Sequence, residues 1–227
     1  MEDITIAICT KLNQLEFQQT KCFNSIERLG LFPEATIFYE NSKGLSECYN
    51  KVLTDTEGQD TCILFMHDDV VLMDILLRDK LDKCFEKFDV LGVAGSSDFS
   101  IRRLPITWIN SPKESWSGGL YHTSIDGSSD MSNLKFNAYG DFNKKCFTID
   151  GAFMAIDRKK IGNVRFQEEF LFDFYDLAFC TECFKAGIKI GTVPIALCHQ
   201  SHGSGILKPE YKDVQDIFIK KYKANKT

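Results

Sequence analysis

Thr61-Cys62-Ile63-Leu64-Phe65-Met66-His67-Asp68-Asp69-Val70 is an apolar run that delivers three polar residues at its end. A continuous hydrophobic stretch of this length suits one strand buried on both faces, inside a parallel sheet covered by helices. Sheets of that kind bind ligands beyond the carboxyl ends of their strands. His67, Asp68 and Asp69 stand at such an end. Adjacent carboxylates beside an imidazole make a seat for a divalent cation and for the charged substrate that the cation neutralises.

Upstream, residues 4–10 mix alternation with β-branched side chains and predict a first strand. Leu15, Cys22, Ile26 and Leu29 follow at helical spacing and predict one helix that stops near Gly30. Residues 35–39 predict a second strand ending at Glu40-Asn41-Ser42, which completes a right-handed βαβ unit. Gly44-Leu45-Ser46 opens the next helix, with Ser46 as a candidate cap. Downstream, Leu77, Leu81, Cys84, Phe85 and Phe88 predict a returning helix, and residues 90–95 a short buried strand.

From residue 96 to 145 the text turns polar, rich in Ser, Gly, Asn and Asp, with Trp108, Trp116, Tyr121 and Tyr139 set into it. A structureless loop of that length is unusual in a compact domain, so it holds short strands or serves a substrate. Its aromatics suit either stacking on sugar rings or pinning a lid. Regular structure resumes over residues 146–156, where Asp150-Gly151 interrupts an apolar run and predicts a bulge or a close approach to the backbone. Residues 170–176 lead into a helix ending at Gly187, residues 189–197 form the last core strand, and a final helix follows Pro209 with Tyr211, Val214, Phe218 and Tyr222 as its buried stripe.

The 227 residues, 44% hydrophobic and 26% charged, fit one soluble domain spanning 1–227 with a substantial core. A net charge of -5 gives no basic footprint for nucleic acid. No apolar run reaches bilayer length, and Met1-Glu2-Asp3-Ile4 lacks the features of a secretory signal. The expected place is the cytoplasm, free or peripheral to a membrane. The nine cysteines are odd in number and mostly lie in apolar runs, so free buried thiols are expected; Cys180 and Cys183 have C-x-x-C spacing without a second pair.

Four polar clusters thus fall at strand ends or segment boundaries: Glu40/Asn41, His67-Asp68-Asp69, Asp173/Asp176 and His199/His202. In a doubly wound sheet they can meet on one rim. Mn²⁺ accepts carboxylate and imidazole together, so Asp69 with His199 or His202 would form a partial shell. Asp173 or Asp176, entering a helix, would take a proton from an attacking hydroxyl. Each group also has a structural use, Asp68 or Asp69 as a helix cap and either histidine as a hydrogen-bonded core residue. Metal-assisted displacement of a diphosphate, nucleotidyl transfer to a sugar phosphate, and a degenerate nucleotide- or carbohydrate-binding module all use such a rim. The turn Thr10-Lys11-Leu12-Asn13 lacks the glycines that a triphosphate loop carries, which counts against the second.

The order of these segments resembles the nucleotide-sugar-dependent glycosyltransferases of the GT-A fold, in their family-two-like group. The resemblance runs from the first strand to Gly203 and rests on five segments in order: Asn41-Ser42-Lys43-Gly44-Leu45 with Tyr49-Asn50-Lys51, Phe65 to Val70, Asp150-Gly151-Ala152-Phe153-Met154, Phe174-Tyr175-Asp176-Leu177, and Cys198-His199-Gln200-Ser201-His202-Gly203. It implies an α/β fold with a mostly parallel central sheet flanked by helices. It implies a donor site built from Thr10, Glu40, Asn41, Asn50, Asp68, Asp150 and Gly151, with Asp150 positioning a sugar. Asp69 and His199, with His67 and His202, would hold Mn²⁺ or Mg²⁺ against the donor diphosphate. Asp176, with Asp173 as rival, would be the base of an inverting displacement. The implied partners are a nucleotide-diphospho-sugar, first of all a UDP-sugar, and a glycan, lipid-linked or protein-linked acceptor placed by residues 96–145. Two positions depart from the group's pattern: His67 stands where an Asp is frequent, and Ala178 where a second acid is frequent.

Overall fold

In the computed structural model, which describes residues 3–98, 108–123, 131–200 and 209–223, the run from Thr61 to His67 is an interior strand of a seven-stranded sheet. β1 (Asp3–Cys9) pairs with β2 (Ala35–Phe38) on one side and with β3 (Thr61–His67) on the other, both in parallel. Between β1 and β2 the expected single helix is two, α1 (Gln14–Phe17) and α2 (Lys21–Arg28). The break is local chemistry. Thr20 takes an extended conformation and its hydroxyl accepts from the Phe23 amide at 3.1 Å, restarting the helix in a new direction.

α3 (Leu45–Asp55) precedes β3, with Gly44 rather than Ser46 at its N-cap. Ser46 lies inside the helix and donates instead to the Phe170 carbonyl at 2.7 Å. A short β4 (Val70–Leu72) follows the His67-Asp68-Asp69 corner, and α4 (Leu77–Phe85) returns across the sheet. Both faces of β3 are buried. Cys62, Leu64 and Met66 pack with α2 and α4, while Ile63 and Phe65 pack with α3 and the later helices. This two-sided burial is what the continuous apolar run encodes.

The second half departs from the expected strand count. Residues 90–95 are two strands, β5 (Val90–Gly92) in the large sheet and β6 (Ala94–Ser96) in a second one. The polar 96–145 segment contributes β7 (Trp116–His122) and β8 (Lys135–Ala138). The run over 146–156 is divided into β9 (Lys145–Cys146), β10 (Thr148–Ile149) and β11 (Phe153–Asp157), the last break falling at Asp150-Gly151. α5 (Tyr175–Lys185) follows, then β12 (Ile190–Thr192) and β13 (Leu197–His199) in place of one long strand. Pro194, which has no amide hydrogen to give a ladder, lies in the gap between them. α6 (Pro209–Lys223) buries Phe218 and Tyr222.

The large sheet has the order β2-β1-β3-β11-β5-β12-β9, and the second β10-β6-β7-β13-β4 with β8 on β7. In the large sheet five strands run one way, while β11 and β9 oppose them, so it is mostly and not purely parallel. All nine cysteines are buried free thiols. Among the described residues no helix is long and apolar enough to cross a membrane.

Candidate active site

The corner after β3 is closed by β13. His199 pairs with Val70 in an antiparallel register, and the Gln200 amide donates to the Asp69 carbonyl at 2.9 Å. A residue 130 positions downstream is thereby set beside Asp69 by backbone pairing alone. His199 Nε2 lies 3.2 Å from Asp69 Oδ1, His67 Nδ1 lies 4.0 Å from the same oxygen, and one ligand atom from each of the three falls within 4.8 Å of the others. Asp69 Oδ1 is buried and has no hydrogen-bond partner among the described residues. Its near neighbours are the two imidazole nitrogens, of which His199 Nε2 offsets its charge when protonated, and one carboxylate with two imidazoles is a donor set that suits Mn²⁺ in place of that proton. The residues fit the metal.

Charge follows this geometry. Burial pushes the Asp69 carboxyl up, but the imidazoles of His199 and His67 outweigh it and hold Asp69 below the ordinary carboxylate range. Burial would lower His199, yet Asp69 raises it overall. His67 is lowered, chiefly by burial.

The second half of the site grows from the Asp150-Gly151 break. The His67 amide donates to the Ala152 carbonyl at 3.0 Å, tying this break to the end of β3. Asp150 accepts from the Ala152 amide and from the Trp108 indole, each at 2.9 Å. Asp176, in the first turn of α5, accepts from the Gly151 amide at 3.0 Å and from the Leu177 amide at 2.8 Å. Burial, and then the nearby Asp150 charge, push the Asp176 carboxyl up to about 7. Gly151 is the residue that permits this contact: a Cβ there would lie 2.3 Å from the Tyr175 hydroxyl and 2.9 Å from the Asp176 Cβ. Phe174, just before α5, has φ +65, a conformation costing on the order of 1–3 kcal/mol in a residue with a side chain. Its ring packs on Tyr211 and Phe218 of α6, which holds the turn that aims Asp176.

A cavity of about 190 Å³ joins the two halves, lined by His67, Trp108, Asp150, Gly151, Phe172, Asp173, Asp176 and Tyr211 among others. Phe172 stacks on the His67 ring at 5.7 Å while remaining 61% exposed. Asp173 sits beside Tyr211, whose phenol burial and the Asp173 and Asp176 charges push up to about 12.

The remaining residues singled out in the sequence are placed as follows. Thr10 is at the same sheet edge, since Cys9 is in register with His67, and its hydroxyl accepts from the Leu12 amide at 3.1 Å. Asn41 donates its amide hydrogen to Thr10 and uses its side chain within its own turn, on the Gly44 carbonyl and the Lys43 amide. Glu40, exposed beside it, has φ +48. Asp68 is half-buried in the β3–β4 corner. Asn50 clamps the 166–168 segment, donating to the Phe166 carbonyl and Glu168 and accepting from the Phe166 amide. His202 lies outside the described residues. Trp108, Trp116 and Tyr139 pack edge-on against one another at 4.8–5.9 Å, so these aromatics of the polar segment pin it rather than standing open.

Three contributors were not legible in the text. His122 is set opposite His199 by the β7–β13 register, with ring centroids 6.0 Å apart. The Trp108 contact to Asp150 and the Tyr175 contact to His67 were equally hidden. Only a strand assignment for 116–122 would have exposed His122, and the polar composition around it masks that strand.

A family model described as "Glycosyltransferase like family" matches residues 7–222. No curated protein sequence matches the chain. Among solved structures it is similar to GalNAc-T7, solved with UDP, GalNAc and Mn²⁺, at TM-score 0.51 and 8% identity over 96% of this chain and 48% of that one. It is also similar to protein A197 from STIV at TM-score 0.49 and 13% identity, over 91% of this chain and 98% of that one. TarS from S. aureus follows at TM-score 0.44 and 10% identity, over 99% and 72%. The chain spans about half the length of GalNAc-T7, with which it shares the GT-A fold.

Proposed function

Because this chain belongs to the glycosyltransferase-like family across residues 7–222, we propose that it is a metal-dependent inverting enzyme that moves a sugar from a nucleotide-diphospho-sugar to a hydroxyl acceptor in one displacement. A UDP-sugar is the donor to test first. The observation that carries this reading is the meeting of His67, Asp69 and His199, with His67 also lining a cavity that holds Asp150 and Asp176.

Asp69, His67 and His199 would hold a divalent cation, with His202 as a further candidate. When bound there, Mn²⁺ or Mg²⁺ supplies neutralisation of the charge that grows on a departing diphosphate. Thr10, Glu40, Asn41 and Asp68, along the same edge, face the nucleotide part of the donor, and Asp150 and Gly151 the sugar. Asn50 acts on that region through the segment it clamps.

Asp176 is the base. Each of its oxygens accepts one backbone amide and keeps a lone pair for a substrate hydroxyl. A carboxyl raised to about 7 is matched to taking a proton near neutral pH. As the acceptor oxygen bonds to the anomeric carbon, its proton passes to Asp176. The bond from that carbon to the diphosphate oxygen breaks, and the nucleoside diphosphate leaves with the electron pair. Attack opposite the leaving group inverts the configuration. Asp173, at the rim beside Tyr211, is the rival base.

The acceptor is a sugar on a glycan, lipid or protein, received on the side of the cavity that Trp108 of the 96–145 segment lines. The chain works as one catalytic domain. Its nine free thiols fit a reducing compartment, the cytoplasm, with peripheral membrane attachment open to a lipid-linked acceptor. The test is a thermal-shift and donor-hydrolysis screen of nucleotide sugars with and without Mn²⁺. Ligands that bind only the folded state raise Tm, so UDP with Mn²⁺ is expected to raise it and at least one donor to be hydrolysed. Absence of both at millimolar ligand would overturn the reading.

A further inference from the structure

Tyr175 joins the two halves of the site. Its ring is buried, 3% exposed, directly before Asp176. Its hydroxyl lies 2.7 Å from the Gly151 carbonyl and 2.8 Å from His67 Nε2. A carbonyl oxygen only accepts, so the single hydroxyl hydrogen goes to Gly151. The phenol oxygen then offers His67 a lone pair, and the contact at 2.8 Å requires the hydrogen to sit on Nε2. In the neutral ring the other nitrogen is therefore bare. That nitrogen, Nδ1, faces Asp69 Oδ1 across 4.0 Å. His199 Nε2 approaches the same oxygen at 3.2 Å, so Nδ1 of His67, Asp69 Oδ1 and His199 Nε2 surround one point where a cation can replace the His199 proton.

We propose that Tyr175 is a positioning residue for the cation site: its hydroxyl selects the Nε2–H tautomer of His67 and fixes the ring so that Nδ1 is the ligand atom. This rests on the metal reading given above. Outer hydrogen bonds of this kind orient a ligating histidine, and their loss commonly costs 10–100-fold in metal affinity. The arrangement also explains why the chain tolerates His67 at this corner. An imidazole has two nitrogens to assign, and Tyr175 assigns them. The same hydroxyl reaches the backbone that orients Asp176, since the Gly151 amide donates to that carboxylate.

The experiment has two arms on the full-length protein. In the first, Mn²⁺ is titrated calorimetrically into the wild type, Tyr175→Phe, His67→Asp and the double variant. Tyr175→Phe is expected to weaken Mn²⁺ binding 10–100-fold in the wild-type background and to have no further effect beside His67→Asp, because an aspartate has no tautomer to select. An equal loss in both backgrounds would show a merely structural tyrosine and overturn the proposal, as would an unchanged affinity. In the second arm, imidazole ¹⁵N shifts of His67 are read without metal. A protonated Nε2 and bare Nδ1 are expected in the wild type, with a tautomer mixture in Tyr175→Phe. A wild type protonated at Nδ1 would overturn the proposal. Wild-type protein that binds no Mn²⁺ but shows the expected tautomer would sink the metal reading and with it the ligand role, leaving only the hydrogen-bond relay.

Discussion

Asp69 and Asp176 are carboxylates linked through His67 and Tyr175, and their surroundings push them in opposite directions. Burial acts on both. At Asp69 it is outweighed by two imidazoles, and the group is held below the ordinary carboxylate range. At Asp176 it is reinforced by another carboxylate, Asp150, and the group rises to about 7. Backbone amides reach Asp176, whereas the inner oxygen of Asp69 is approached by two imidazole nitrogens. In the proposed reaction one carboxylate stays an anion beside a cation and the other exchanges a proton. Pairs of acids driven apart in this way mark a division of labour between binding and proton transfer.

The hardest blow to that contrast is to remove each side. Asp176→Asn is expected to fold and to bind donor with Mn²⁺, yet to lose transfer by about 10²–10⁴-fold. Asp69→Ala is expected instead to abolish the Mn²⁺-dependent rise in Tm, measured on the same thermal-shift plate. If Asp176→Asn keeps near-normal turnover while Asp173→Asn does not, the base moves to the turn that precedes α5.

A finer test uses pH. The rate with saturating metal is expected to rise through an apparent pKa near 7 as Asp176 loses its proton. Asp150→Asn removes the like charge, so that limb should shift toward lower pH, and a profile that stays in place would remove Asp150 from the account. Stability runs the other way for the two acids in metal-free protein. Asp176 binds its proton more tightly folded than unfolded, so its contribution is present below the ordinary carboxylate range and is lost as pH rises through about 7. Asp69 is lowered by folding, so its contribution is present above that range and is lost as pH falls. Urea midpoints of Asp176→Asn between pH 4 and 7 should lack the wild type's decline.

A structural change at the seam comes next. Gly151→Ala places a methyl against a buried phenol, and overpacking of this sort costs about 1–3 kcal/mol. The expected result is a lower urea midpoint together with a weakened Asp176, seen as a fall in kcat. The smallest effect is expected at Phe172, exposed above His67: Phe172→Ala should leave Tm within a degree or two of wild type, about the shift for 0.5 kcal/mol in a chain this size, and raise KM a few-fold. A kcat loss with unchanged KM would mean that Phe172 holds His67 rather than substrate.

What the text of the chain determined by itself was the strand that organises the sheet and the residues at its end. Thr61 to Met66 are buried on both faces, and only a near-continuous apolar run supplies side chains for two cores at once. The same local logic made the helix stripes and the Asp150-Gly151 break readable. Where the strands divide was not readable, because β5 and β6, or β12 and β13, are contiguous apolar text assigned to different sheets by partners far along the chain. The meeting of Asp69 with His199 was a conjecture from motif order, and it became a distance only through the β4–β13 register. Tyr175, His122 and the charge tuning of Asp176 lie wholly in tertiary structure. Hydrogen-bond direction, burial and like-charge proximity are properties of atoms brought together, and no spacing along the chain encodes them.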